Sequence, residues 1–176
     1  MRQVCYHVAA SLDGFIADPN GGFDWIPHDS TIDFGAIFAR FDTILMGRKT
    51  FEVVERAGGP PFGREMRVYV FSTTLPDIAR PNITIVRSDA GAVVEGLRRE
   101  RGDREIWLFG GGLLFAHLLT AGQVDTVEIT VVPVLLGAGL PLVASGIPRT
   151  PLRLLDTHRY PSGMVTLRYA VEHGTG

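Results

Sequence analysis

The chain has 176 residues, 45% hydrophobic and 20% charged, with a formal net charge of −2. That length holds one domain with a sizeable core, and the charge balance argues against broad electrostatic binding to nucleic acid or to an anionic membrane. The single cysteine, Cys5, excludes an internal disulfide and implies a reducing, cytoplasmic setting, while His7 and Asp13 interrupt the N-terminal region too early for a signal peptide or a spanning helix.

In chain order, Val4 to Ala10 reads as a strand apolar on both faces, and therefore central. The segment "SLDGFIADPNGGFDWIPH", residues 11–28, is a loop long enough to be a lid or a functional element. Ser30 to Phe41 carries Ile32, Ala36, Ile37 and Phe41 near a helical period, with Asp29 as its N-cap and Asp33 inside it. Thr43 to Met46 is a short buried strand, and Lys49 to Arg56 is a helix stopped by Gly58–Gly59 and Pro60–Pro61. Arg67 to Phe71 and Ile83 to Val86 are strands. Ala90 to Arg101 is a helix opened by Ser88 and Asp89 and buried on Val93, Val94 and Leu97. Arg98, Arg99 and Arg101 complement its C-terminal end, and with Arg104 they form a solvated basic cluster. Glu105 to Phe109 is a strand, Leu113 to Ala121 a helix, and Val124 to Val132 a long strand. Two further strands, near Leu152 to Tyr160 and Met164 to Val171, are joined at Pro161–Ser162–Gly163, a hairpin signal. Strands alternating with helices to about residue 132, then a hairpin, predict an α/β fold with a mixed, mostly parallel sheet and antiparallel edge strands. No repeat or linker divides residues 1–176, which are read as a single domain.

A buried strand that ends at glycine and leads into a helix occurs twice, in "ILMGRKTFE" and in "IWLFGGGLLFAHLL". Ligands of open α/β sheets bind beyond the C-terminal ends of strands. Helix N-termini offer free N–H groups to anions, and glycine admits a ligand where a Cβ would block it. Side by side, the two turns would suit the pyrophosphate of a dinucleotide, with Arg48 and Lys49 adding charge at the first. The alternative is that these glycines only make tight turns. Neither turn matches GxGxxG or GxxxxGK[ST].

These residues resemble the dihydrofolate reductase superfamily. "MGRKTFE" looks like its MGR-x-T-[WFY]-E element, "IWLFGGG" like its strand with a following Gly-Gly, and "VEITVV" like its later strand with a threonine. "SLDGFIA" and "VDTVEITVVPVLLGAGLPLV" are more similar to the reductase domain of the bifunctional riboflavin-biosynthesis deaminase-reductase. The resemblance covers nearly the whole chain in the right order. It implies a three-layer α/β/α sandwich and NADPH as cofactor. Gly47, Arg48, Lys49 and Thr50 would take the pyrophosphate and approach the adenosine 2′-phosphate, and Ser72, Thr73 and Thr74 would serve the 2′-phosphate end. Gly110, Gly111, Gly112, Leu113 and Leu114 would line the second phosphate and the nicotinamide side, with the first Gly-Gly bond cis. Ala10, Ile16 and Ala17 would flank the nicotinamide ring. Some relatives carry an arginine where this chain has Leu113, which puts more of the phosphate charge on Arg48 and Lys49.

The implied reaction is hydride transfer from NADPH to a small heterocycle, pterin-like or the riboflavin-pathway pyrimidine. The protein then holds donor and acceptor carbons in near-attack geometry and excludes water, with the 11–28 loop closing over the ring. Reduction of a C=N bond also needs a proton. In dihydrofolate reductases a carboxylate on the helix after the loop assists, and Asp33 is the candidate here, with a solvated helix acid as the alternative. Thr130 matches the threonine that bonds that carboxylate. Asp13, Trp25 and Phe34 are the candidate substrate contacts, the alternatives being a turn role for Asp13 and core packing for the two aromatics. The riboflavin-pathway substrate carries a ribosyl phosphate, for which only Arg40 is available on the 30–41 helix. A catalytically inactive nucleotide-binding module of the same fold is the competing function. The five histidines lack metal-ligand spacing, so no metal is expected. His7 and His117 are read as satisfied structural residues and Cys5 as a small hydrophobe. The expected partners are a small-molecule substrate and a second copy of the chain, because riboflavin-like relatives associate through sheet edges and C-terminal strands.

Overall fold

The computed structural model describes residues 1–59 and 65–172. Pro60 and Pro61, expected to stop the second helix, and His173 lie outside the described residues. The elements follow in the order β1 (Val4–Ser11), β2 (Phe15–Ala17), α1 (Phe34–Ala39), β3 (Phe41–Gly47), α2 (Arg48–Arg56), β4 (Arg67–Phe71), β5 (Ile83–Val86), α3 (Ala90–Arg99), β6 (Glu105–Gly110), α4 (Gly112–Thr120), β7 (Thr126–Val132), β8 (Leu140–Pro141), β9 (Leu152–Arg159) and β10 (Val165–Val171). The main sheet has the order β5-β4-β3-β6-β1-β7-β10-β9. Strands β5 to β7 in that order run parallel, and β10 and β9 complete the sheet antiparallel. This is the mixed, mostly parallel sheet that the alternation of elements predicts.

Alternating side-chain direction sorts the two faces of the sheet. Val4, Tyr6, Leu45, Ile106, Leu108 and Val127 pack against α3 and α4 through Val94, Leu97, Phe115 and Leu118. On the opposite face Cys5, Ile44, Met46, Val68, Val70 and Trp107 meet α1 and α2 through Ile37, Phe38 and Phe51. Helices on both faces make a three-layer α/β/α sandwich. Ile44, Leu45, Leu108 and Leu118 are wholly buried, each stabilising the fold by roughly 1.5–3 kcal/mol of transfer free energy.

Four expectations need correction. The helix expected over 30–41 is confined to Phe34–Ala39, and Asp33 caps it, its carboxylate accepting from Ala36 N at 2.8 Å. Asp29 does not cap the helix. Its carboxylate accepts from Thr31 N at 2.9 Å and from Ser162 N at 3.0 Å, tying the loop to the β9–β10 turn, so the helix starts one turn later. Arg98 is not solvated: it is buried and donates to Asp125 at 2.6 Å, so the basic end of α3 is partly a core ion pair. Finally, the 11–28 loop contains β2, which pairs with β8 in a small separate sheet.

That small sheet rests on two glycines. A side chain at Gly139 would put its Cβ 2.2 Å from Ala17 O, and one at Gly112 would reach 2.6 Å from Pro141 O. Only glycine allows such close backbone approach. It seats β8 between β2 and the start of α4.

Candidate active site

Strands β4, β3, β6 and β1 are neighbours in the sheet. In register, Gly47 lies beside Phe71, and Met46 beside Gly110. The segments that leave these strands therefore emerge at one edge: Ser72 to Thr74, Gly47 to Thr50, Gly110 to Gly112, and the β1–β2 turn. The two glycine turns meet at Thr50, whose Oγ1 lies 3.4 Å from the Cβ position of Gly111, with Ile16 Cδ1 at 3.9 Å from the same point. The Gly110–Gly111 peptide is cis. Gly47 and Gly111 occupy the N-cap positions of α2 and α4 without side-chain capping bonds, so the first N–H groups of both helices are left to solvent or ligand.

Beside this edge lies a cavity of about 590 Å³. Its walls are apolar and come from α1 (Phe34, Ile37, Phe38), α2 (Val53, Val54), β2 (Ile16, Ala17) and the sheet (Trp107, Phe109). Lys49, Thr50 and Gly110 line it on the side of the glycine turns. At the sheet it is polar, with His7, Glu128, Thr130 and Thr166. The register explains this row. His7, Glu128 and Arg168 are successive cross-strand partners on β1, β7 and β10, and Ala9, Thr130 and Thr166 form the next row.

Glu128 is held from behind. Arg40, at the end of α1, donates Nη1 to Glu128 Oε1 at 3.0 Å and Nη2 to Oε2 at 2.9 Å, a bidentate pair. Arg40 Nε also reaches Glu105 at 3.3 Å, and Arg168 Nε stands 3.5 Å from Glu128 Oε2. Burial alone would push the Glu128 carboxyl up, but the Arg40 hydrogen bonds and neighbouring charges outweigh it, and the net direction is down. His7 Nε2 is 3.8 Å from Glu128 Oε1, and burial takes the imidazole down to about 4, so it is neutral near pH 7. Trp107 stacks on the His7 ring at 5.4 Å and donates Nε1 to His7 O at 2.8 Å. His7 Nδ1 is buried without a hydrogen-bond partner among the described residues, so His7 is not the satisfied residue expected. Cys5 is buried behind this row with its thiol pushed up to about 12 by burial, consistent with a small hydrophobe, and His117 is exposed on α4.

The expected site residues divide on this geometry. Ile16, Ala17, Phe34, Lys49, Thr50, Gly110 and Thr130 line the cavity. Gly47, Arg48, Ser72, Thr73, Thr74, Gly111, Gly112, Leu113 and Leu114 lie at or beyond the sheet edge, outside its lining. Arg48 donates to Glu52 at 2.7 Å, and Ser72 Oγ accepts from Thr74 N at 3.2 Å and Leu75 N at 3.0 Å. Leu113 is 77% exposed, whereas Leu114 is buried. Ala10 is buried, and Ala9 lines the cavity instead, because neighbouring residues of a strand face opposite ways.

Four candidates do not take the places expected of them. Asp33 is an exposed helix cap outside the cavity. Thr130 bonds the Thr166 hydroxyl at 2.7 Å rather than a carboxylate. Asp13 lies outside the lining, its carboxylate spent on Ser11 Oγ (2.6 Å), Leu136 N (3.1 Å) and Gly137 N (2.7 Å). Trp25 also lies outside it and donates to Gly22 O at 3.2 Å. The carboxylate in the cavity is Glu128, which sequence reasoning missed. The available signal was a charged residue inside the apolar run "VEITVV", two positions before Thr130 and so on the same face. Among the described residues no group of three or more His, Cys, Asp or Glu could hold a metal ion, and no helix is long and apolar enough to cross a membrane.

Strand order, helices on both faces and the terminal hairpin define a dihydrofolate reductase-like α/β domain of the riboflavin-reductase type. Within that class, residues 2–166 match the RibD C-terminal domain family, and the chain belongs to it. It is 31% identical over 179 residues to the uncharacterised protein YyaP of Bacillus subtilis, covering 96% of this chain and 94% of that one. A putative riboflavin biosynthesis protein from Shewanella sp. PV-4 superposes with a TM-score of 0.83 at 25% identity, over 98% of this chain and all of the other. The diaminohydroxyphosphoribosylaminopyrimidine deaminase/5-amino-6-(5-phosphoribosylamino)uracil reductase of Thermotoga maritima shares the fold, with a TM-score of 0.68 at 20% identity over 97% of this chain and 57% of that one.

Proposed function

We propose that the chain is an NADPH-dependent reductase that delivers hydride to a small heterocycle in the 590 Å³ cavity. The observation that carries this reading is the convergence of two glycine-ended strand-to-helix turns, meeting at Thr50, on the rim of an apolar cavity. Free helix N–H groups and Lys49 suit a pyrophosphate there, and Arg48 and Ser72 to Thr74 lie toward the outer end, where a 2′-phosphate would sit. When bound, the cofactor supplies the hydride. The chain's own residues hold the two rings together and keep water out: Ile16, Ala17, Phe34 and Trp107 are the apolar walls that do so. The family supports a reductase, and a relative that shares only the fold is named as a phosphoribosylaminouracil reductase.

Titration of NADPH fluorescence tests the first step. Binding at micromolar to submillimolar cofactor is expected, and no binding at millimolar cofactor overturns the reading. NADPH oxidation with dihydrofolate and with the riboflavin-pathway pyrimidine then tests turnover. One observation favours a second reading, a nucleotide-binding module without catalysis. The cavity's carboxylate is held ionised by Arg40 and its imidazole is neutral, so neither is poised to give up a proton near pH 7. NADPH binding with no turnover of any heterocycle would support that reading.

We also propose that the chain pairs with a second copy through β9. This strand ends the sheet, every residue in it is exposed, and Leu152, Leu154 and Leu155 are among the exposed residues. An edge strand that carries exposed apolar side chains is a template for another strand.

A further inference from the structure

We infer, building on the reductase reading above, that Glu128 is a substrate-binding residue: a fixed anion that takes rings presenting N–H donors and turns away phosphorylated ones. Glu128 is the one carboxylate among the described residues lining the cavity. Its side chain is 9% exposed and cannot turn away, because Arg40 grips both oxygens. A carboxylate has about four lone-pair sites. Arg40 uses one on each oxygen and Arg168 Nε approaches Oε2 at 3.5 Å, which leaves acceptor capacity on Oε1, where His7 Nε2 stands back at 3.8 Å. Thr130 and Thr166 stand in the adjoining row, and their paired hydroxyls can accept or donate. The aromatic walls at Phe34, Phe38 and Trp107 fit a flat ring. A ring with adjacent N–H groups would bond Glu128 while its faces are covered.

The same geometry works against a phosphate. Arg40, the cation that a ribosyl phosphate would need, is turned under the sheet end of the cavity, bonded to Glu128 and Glu105, and does not line it. Among the described residues the only lysine or arginine that does is Lys49, on the side of the glycine turns. A phosphorylated substrate would bring its charge into an apolar cavity beside a carboxylate, with no cation of its own there among the described residues. The substrate class is therefore a compact, unphosphorylated heterocycle with a donor edge, unlike the phosphoribosyl substrate named for the Thermotoga relative.

The test is calorimetric titration of the whole protein, with and without NADPH, using three probes: 2,4-diaminopyrimidine, its apolar isostere 2,4-dimethylpyrimidine, and uridine 5′-monophosphate. The diaminopyrimidine is expected to bind at least tenfold more tightly than either of the others. Glu128→Gln is expected to remove that preference while NADPH affinity stays within twofold. Equal or tighter binding of the monophosphate, no preference over the dimethyl ring, no diaminopyrimidine binding at millimolar concentration, or an unchanged preference in Glu128→Gln would each overturn the inference. If that variant does not fold, the wild-type preference decides alone. NADPH binding is read separately, so failure of the cofactor reading and failure of the Glu128 assignment give different results.

Discussion

His7 Nε2 stands 3.8 Å from Glu128 Oε1 at paired positions of β1 and β7, yet His7 is neutral near pH 7 because burial outweighs the carboxylate's attraction. The folded imidazole titrates at about 4, against 6.5 unfolded. The unfolded chain therefore binds the extra proton between those values. This contribution to stability is complete above the unfolded value and is lost as pH falls toward about 4, by at most about 3 kcal/mol. Urea unfolding at about pH 7.5 and about pH 5 should show a larger loss for the wild type than for His7→Gln. Glu128, whose folded carboxyl lies below its ordinary value, loses its contribution only under more acid conditions and leaves this window to His7. Equal pH dependence in the two proteins would remove His7 as the cause.

The Arg40–Glu128 pair gives a second prediction. Arg40→Met leaves a buried carboxylate without its bidentate partner, at a cost on the order of 3–5 kcal/mol, toward the lower end because Arg168 stays near. Adding Glu128→Gln removes the stranded charge. The double variant should then be more stable than Arg40→Met alone, measured by denaturant midpoint. If the two losses simply add, the residues are not coupled.

Much of this fold was legible because hydrophobic periodicity and glycine punctuation are local signals. Strands β3 to β7 and helices α2 to α4 lie within a few residues of their expected positions. The polar end of the cavity was not legible, because it is a product of register. Glu128, His7 and Arg168 come from strands far apart in sequence, and only pairing of β1, β7 and β10 puts them in one row. Asp33 lies outside the cavity for a different reason. An aspartate at a helix start is equally suited to capping, and here the Ala36 N–H took it.

Gly139 tests how β2 is seated. A Cβ there would lie 2.2 Å from Ala17 O and 3.1 Å from Phe15 Cβ, so β2 and β8 must separate to admit it. Gly139→Ala should destabilise the fold by roughly 1–3 kcal/mol. Hydrogen exchange should quicken at the β2–β8 amides before it does in the main sheet. Unchanged exchange there would show that the small sheet does not depend on this contact.

The β9 edge predicts the oligomeric state. Leu154 is 52% exposed on an edge strand with no neighbour on its outer side among the described residues. Sedimentation equilibrium should show a dimer for the wild type and a monomer for Leu154→Glu combined with Leu155→Glu, with the monomer retaining its fold by circular dichroism. A monomeric wild type at high concentration would rule out β9 as a pairing edge.

Gly47 separates the demands of the fold from those of a ligand. It sits at φ −79° and ψ 163°, an extended conformation open to any residue, and a Cβ there would meet nothing within 4 Å. The described residues therefore give no reason for glycine at this position. A pyrophosphate lying against the start of α2 would supply one, since a methyl group would stand between it and the backbone N–H groups. Gly47→Ala should leave stability within about 0.5 kcal/mol of wild type but weaken NADPH binding about tenfold or more, by fluorescence titration. Arg48→Ala beside it should weaken NADPH far more than NADH, because only NADPH carries the 2′-phosphate. Gly47→Ala with unaltered NADPH affinity would move the phosphates away from this turn, and equal losses of NADPH and NADH in Arg48→Ala would remove Arg48 as the reader of that phosphate.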